Sequence, residues 1–243
     1  RYDEKDFFKN VPTKTAETIN NFKKIWTQIA DTFKDYDDHL MFESLNEEAC
    51  WNDVFNQWSG SDTGKKEVYD YTYKLNQAFV DVIRNSGGNN PERHLLIAGY
   101  CTDPALTCDS LFKMPNDPAK RCAVSIHYYI PSTFTILTED ADWGKAQSTW
   151  GNQNEVKELN NNFDMIKSTY IDKGIPVIIG EYGSTTKNED MDSVRNFLYS
   201  VCKACYDRKI LPILWDGPDG FYDREKGVMK DSVLKEMLNS VKG

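Results

Sequence analysis

The chain has 243 residues, 40% of them hydrophobic, which is enough to bury the core of one α/β domain. A formal net charge of −9 at pH 7 argues against a nucleic-acid partner, since phosphates need a basic surface, and is compatible with a neutral polymer. No run reaches the ~18 apolar residues of a membrane-spanning helix, so no membrane partner is expected.

Residues 15–33 carry Ile19, Phe22, Trp26, Ile29 and Ala30 at helical spacing, and the spacing predicts a helix followed by a strand over 39–45. A second amphipathic helix is expected over 68–84, with Tyr69, Leu75, Phe79 and Ile83 on its apolar face, and Ser86-Gly87-Gly88 stops it. Strands over 94–99 and 123–127 come next, then a helix over 155–170 and a strand over 176–180. A helix over 191–208, a strand over 210–215 and a last helix over 231–241 complete the pattern. No short-period repeat, low-complexity tract or linker interrupts it, so residues 1–243 are expected to form one domain. Strands interleaved with helices imply a parallel sheet, in which function gathers at the carboxyl ends of the strands. No G-x-G-x-x-G opens any of the helices, which argues against a dinucleotide-binding fold.

Six cysteines are too few for a disulfide scaffold at this length. Cys202 and Cys205 form a C-x-x-C, but Val194, Phe197, Leu198 and Val201 place them in a helical apolar stretch, and no second pair or nearby His completes a zinc site. The spacing of Cys101 and Cys108 admits a bridge. No charged-then-apolar leader opens at Arg1, and there is no N-x-S/T sequon.

Two glutamates hold equivalent positions. Glu47 follows the apolar run of HLMFESLNEEACW, and Glu181 follows that of IPVIIGEYGS. A glutamate after a strand is ordinarily exposed loop surface. Two of them brought together can share acid–base and nucleophilic work on a glycosidic bond. His127 and Trp215 also stand at the carboxyl ends of expected strands, as a barrel active site would require.

Asn46-Glu47, His127-Tyr128-Tyr129, Gly180-Glu181-Tyr182-Gly183 and Trp215-Asp216 occur in that order at four strand ends. Together they resemble glycoside hydrolase family 5, the cellulase family of retaining β-glycosidases, from about Thr15 to the C-terminus. The resemblance implies a (β/α)8 TIM barrel in which Glu47 is the general acid/base and Glu181 the nucleophile. Asn46 would bind the sugar 2-hydroxyl, His127 and Tyr129 would tune the carboxylates, and Trp215 would form the floor under the sugar. Tyr128 is expected to point away from Tyr129 and pack. Trp51, Trp58, Trp143 and Trp150 lie in long segments after strands, and Trp51 and Trp143 are candidates for outer sugar subsites.

The chain departs from the family in two ways. Glu48 stands where the family commonly has Pro, which leaves a second carboxylate beside Glu47. The family's acid/base glutamate also ends strand 4, whereas here one helix precedes it, and three strand–helix units need about ninety residues. The five expected strands therefore match strands 4–8, with strands 1–3 lacking, and the open edge is expected to favour self-association. The implied function is a secreted, retaining endo-β-1,4-glucanase acting on a β-linked polysaccharide. Alternatives are an endo-glycosidase on mixed-linkage glucan, xyloglucan, xylan or mannan, or a non-catalytic carbohydrate-binding protein of the same fold. No metal or organic cofactor is expected, because three histidines stand at no ligand spacing.

Overall fold

Helix α1 (Val11–Thr32) buries Phe22, Trp26 and Ala30, a four-residue repeat along one stripe. Its backbone departs from helical geometry at Lys14 (φ −134°, ψ 42°), so the regular part begins at Thr15, where the apolar periodicity begins. The computed structural model describes residues 7–47, 50–187, 189–217 and 220–242, and Glu48 lies outside them. The chain divides into two units, Arg1–Ser125 and Ile126–Gly243, with the boundary inside a strand.

In the first unit α1 is followed by β1 (Phe42–Glu43), α2 (Lys65–Arg84), β2 (Leu95–Ala98), the one-turn α3 (Pro104–Thr107) and the start of β3 (Cys122–Tyr128). Strands β1 and β2 pair in parallel with Phe42 opposite Leu95, and β2 and β3 pair in parallel with Leu95 opposite Cys122. Trp26, Phe42, Leu75, Phe79, Leu95 and Ile97 belong to one buried cluster, and Trp26 meets Phe79 edge-on at 4.5 Å between ring centroids.

Strand β1 is shorter than the expected 39–45, and Arg93 is the physical reason. Its guanidinium is 2% exposed and donates to the carbonyls of Phe33 (3.0 Å), Tyr36 (2.7 Å), Asp37 (3.1 Å) and Leu40 (2.8 Å). Those carbonyls are therefore bound to a side chain, and Leu40 is not free to extend the ladder. The same guanidinium lies 4.8 Å from the Phe42 ring centroid. A buried triangle holds the far end of β1: Ser44 Oγ donates to Asn76 Oδ1 (2.6 Å), Asn76 Nδ2 donates to Ala98 O (3.0 Å) and the Ala98 N–H donates back to Ser44 Oγ (3.0 Å).

The second unit holds the end of β3, the one-turn α4 (Ser132–Thr135), α5 (Gln153–Thr169), β4 (Val177–Tyr182), α6 (Met191–Asp207), β5 (Leu211–Leu214), a hairpin of β6 (Tyr222–Asp223) and β7 (Val228–Met229), and α7 (Ser232–Ser240). Helix α5 starts at a capping box in which Asn152 and Glu155 satisfy each other's backbone N–H groups. Tyr128, Phe134, Trp150 and Phe163 pack around Phe197 and one another. Strands follow chain order in the sheet, β1 to β3 in the first unit and β3 to β5 in the second, and β4 pairs with β5 in parallel. The antiparallel β6–β7 hairpin is an addition to the sequence-based expectation. Asp223 builds its turn by accepting from the N–H groups of Glu225 and Lys226, and Gly227 supplies the left-handed residue (φ 67°). No helix among the described residues is long and apolar enough to cross a membrane.

Because Arg93 binds four buried carbonyls, its loss orphans all of them. Arg93→Met is expected to lower the unfolding free energy by roughly 3 kcal/mol or more. Lys should restore only part, since a single ammonium cannot span the fork. Chemical denaturation of the two variants against the parent measures both effects.

Candidate active site

Alternation along β3 decides which aromatic faces the site. His127 and Tyr129 lie on one side, and Tyr128 on the other is fully buried against Phe163 and Phe197, as the period of two requires. Burial holds the Tyr128 hydroxyl in its neutral form by raising its pKa, and that hydroxyl accepts from Asn162 Nδ2 (3.3 Å).

Glu181 lies inside β4, not beyond its end. The β4–β5 register shifts between Ile179 and Tyr182, the local irregularity by which a strand re-aims a side chain. Tyr129 donates its hydroxyl to Glu181 Oε2 at 3.1 Å, and His127 Nδ1 stands 3.6 Å from the same oxygen. Both groups therefore face one oxygen of the Glu181 carboxylate and fix its orientation. Gly183 lies beside both Trp215 and Tyr129: a Cβ built there would stand in ordinary contact, 3.5 Å from Trp215 Cβ and 3.6 Å from Tyr129 Cε1. The Trp215 N–H donates to Tyr182 O (2.8 Å), and its side chain remains 53% exposed. His127, Tyr129, Glu181 and Trp215 thus come together within the second unit.

A support for Tyr129 escaped the sequence-based reading. Thr135 Oγ1 donates to Tyr129 O (2.6 Å), Ser132 Oγ donates to the same carbonyl (3.2 Å), and the Thr185 N–H donates to Thr135 O (2.8 Å). The short α4 therefore braces the segment after β3 and the segment after β4. The Thr and Ser pair in PSTFT was the available signal, since such hydroxyls bond nearby backbone in turns.

In the first unit Asn46 and Glu47 occupy the turn that follows β1, Glu47 exposed and Asn46 half-buried. Trp51 is corrected from an outer sugar platform to a core residue. It is 5% exposed, its Nε1–H donates to Phe8 O (2.9 Å), and its indole stacks on Tyr100 at 6.2 Å and 11°. Of the other loop tryptophans, Trp58 and Trp143 are exposed and Trp150 is buried. The Cys101–Cys108 possibility is also corrected, because Cys101 bonds to Cys50, with 5.4 Å between their Cα atoms. Cys202 and Cys205 are free thiols on α6 whose pKa values burial raises, in keeping with packing over redox or metal chemistry.

Comparison with known proteins gives a consistent picture. The chain matches Cellulase (glycosyl hydrolase family 5) across residues 4–219. It is 35% identical to Endoglucanase 1 of Ruminococcus albus over 205 residues, which is 84% of this chain and 46% of that protein. The chain thus spans about half the length of this curated relative. A GH5-4 broad specificity endoglucanase from an uncultured bovine rumen ciliate superposes with a TM-score of 0.80 at 37% identity, covering 93% of this chain and 66% of that one. A family 5 lichenase from Caldicellulosiruptor, solved with cellotetraose, superposes at 0.82 with 29% identity, covering 93% and 64%.

The segment after β4 also carries Glu189, whose Oε2 is buried with no hydrogen-bond partner among the described residues. Burial pushes its carboxyl up from 4.5 to about 6. The folded state therefore holds this proton more tightly than the unfolded one, so stability falls as pH rises from about 4.5 through about 6 and stays lower above. Glu189→Gln should match the parent below that window and become the more stable protein above it. Denaturation midpoints measured across pH 4–7 check the sign.

Proposed function

The chain belongs to glycosyl hydrolase family 5, and from that premise we propose that it is a secreted endo-β-1,4-glucanase that hydrolyses internal bonds of β-glucans with retention. The observation that carries the proposal is the pair of contacts on Glu181, the Tyr129 hydroxyl at 3.1 Å and the His127 imidazole at 3.6 Å. A nucleophilic carboxylate has to be held in one orientation, and two polar groups that meet the same oxygen do that.

In the first step Glu181 attacks the anomeric carbon while Glu47, protonated, gives its proton to the departing glycosidic oxygen. In the second, Glu47 takes a proton from water, the resulting hydroxide equivalent attacks the same carbon, and Glu181 leaves as carboxylate. A retaining pair works at about 5–5.5 Å between carboxyl groups. Exposed Trp215 offers an apolar wall to the C–H face of a pyranose, and Asn46 reaches the 2-hydroxyl. Trp143, 62% exposed, is retained as an outer subsite.

We assign the five strands to positions 4–8 of an eight-stranded barrel forming one catalytic domain. Two observations support this: the ciliate enzyme is covered over 66% of its length, and edge strand β5 carries Leu211 and Ile213 exposed on one face, a surface that further strands would bury. Secretion is supported by the Cys50–Cys101 disulfide, a bond that persists in oxidising surroundings. Mixed-linkage glucan is the second substrate reading, favoured by the likeness to a lichenase.

Reducing-end release from carboxymethylcellulose and from mixed-linkage glucan tests the activity and ranks the two substrates. Glu181→Ala should abolish turnover on both, by a factor of at least about 10⁴. Glu47→Ala should lose kcat/KM on glucan yet keep it on dinitrophenyl β-cellobioside, whose leaving group needs no proton. Equal loss on both substrates would overturn the role of Glu47.

Two carboxylates complete this chemistry without a Lewis acid. Exhaustive chelation with EDTA is expected to leave activity unchanged. Loss of activity restored by one particular divalent ion would contradict the mechanism.

A further inference from the structure

Strand β1 is two residues long, and its ladder continues to the Ser44 N–H, which donates to Leu96 O at 3.0 Å. Glu47 stands three residues further on, exposed, in a turn. A general acid must hold its proton within hydrogen-bond reach of one oxygen, and a misplacement of ~1 Å costs about 100-fold in rate.

The disulfide reaches Glu47. Cys50 Sγ lies 3.3 Å from Glu47 O, a packing contact, since a disulfide sulfur has no proton to donate. The other half of the bridge, Cys101, follows the end of β2 in a turn over Tyr100–Thr102. That turn is built to hold one shape. Cys101 (φ 52°) and Thr102 (φ 49°) are both left-handed, which costs a non-glycine residue about 1 kcal/mol or more and persists only where the surroundings impose it. Gly99 before them admits no side chain, because a Cβ would fall 1.9 Å from Thr107 Oγ1. Asp103 after them caps α3 by accepting from the Leu106 N–H at 2.8 Å.

The residues next to the two cysteines pair as well. Trp51, beside Cys50, stacks on Tyr100, beside Cys101, and Tyr100 is buried against Tyr69, whose hydroxyl donates to Leu106 O at 2.7 Å. A covalent bond and a ring stack therefore join the same two dipeptides, and the turn bearing Glu47 is tied to a rigid strand end.

We propose that the Cys50–Cys101 disulfide, with the Trp51–Tyr100 stack beside it, is the positioning device for the acid/base Glu47, so that reducing it disables proton delivery to the leaving group while leaving nucleophilic attack intact. The proposal rests on the reading of Glu47 as the acid. Cys50, Cys101 and Trp51 are positioning residues and touch no substrate.

The test compares two substrates in the full-length protein, one needing the proton and one not. The parent is assayed oxidised, after reduction with dithiothreitol and after re-oxidation, together with the Cys50→Ser/Cys101→Ser variant and Glu47→Ala. The expected result is a fall of about 10- to 100-fold in kcat/KM on glucan for the reduced parent and the double variant. On dinitrophenyl β-cellobioside kcat/KM should stay within about twofold, the same pattern as Glu47→Ala. Re-oxidation should restore glucan activity. A disulfide that only stabilised the fold would lower both substrates together through the unfolded fraction, and that outcome overturns the proposal, as does a reduced enzyme with full glucan activity. If Glu47→Ala itself shows no leaving-group selectivity, the assignment of the acid fails, whatever the disulfide does.

Discussion

The buried Arg93 guanidinium is the constraint on which the first unit depends. A charge removed from water must be matched by acceptors, and here the acceptors are backbone carbonyls of Phe33, Tyr36, Asp37 and Leu40. These are the residues that lead from the end of α1 into β1. Arg93 itself is fixed by its Nε donating to Asn90 Oδ1, and Asn90 in turn donates to Ala30 O inside α1. The connection is thus folded around one cation, and the start of β1 follows from it. Beyond β1, the Ser44–Asn76–Ala98 triangle and the Ser125 hydroxyl donating to Glu43 Oε1 (2.5 Å) tie the strand to α2, β2 and β3. Polar groups buried in a network of this kind specify one register, because any other would leave them unpaired.

The second unit reaches its order by a different route. Its core is aromatic, centred on Phe197 of α6 with Tyr128, Phe134 and Trp150 around it. Such packing fixes helix α6 against the face of β3 that carries Tyr128, and the period of two along β3 then turns His127 and Tyr129 to the opposite side. Thr135 and Ser132 complete the arrangement by holding the Tyr129 carbonyl. The side chains around Glu181 are consequences of how the rear of the strand is filled.

Period and punctuation made most of this legible in advance. Helices α5 and α6 lie within two residues of their expected bounds, because Asn152 and Asp190 are N-cap residues and the apolar stripe follows directly. The positions of Glu47 and Glu181 after short apolar runs were equally plain. What escaped depended on contacts distant in sequence. Strand β1 was expected to be longer because Met41, Phe42 and Leu45 look like strand residues, and nothing local shows that Arg93 takes the carbonyl of Leu40. Trp51 was read as a sugar platform because aromatic residues in loops are ambiguous until their neighbours are known. Cys50 and Cys101 stand 51 residues apart, and connectivity among six cysteines is not deducible from spacing.

The two candidate glutamates are held in ways that suit their different tasks. Glu181 is a strand residue, fixed by its own ladder at a register shift and met by the Tyr129 hydroxyl, so its carboxylate has little freedom to turn. A nucleophile that must approach one carbon along one line benefits from that rigidity. Glu47 is an exposed residue beyond the end of β1. An acid that gives up a proton and later takes one from water benefits from access to solvent. For this residue the fold offers a covalent link close by, from Cys50 to the end of β2. Rigid placement by the ladder for one carboxylate and by a cross-link for the other follows from the difference between attacking a carbon and shuttling a proton.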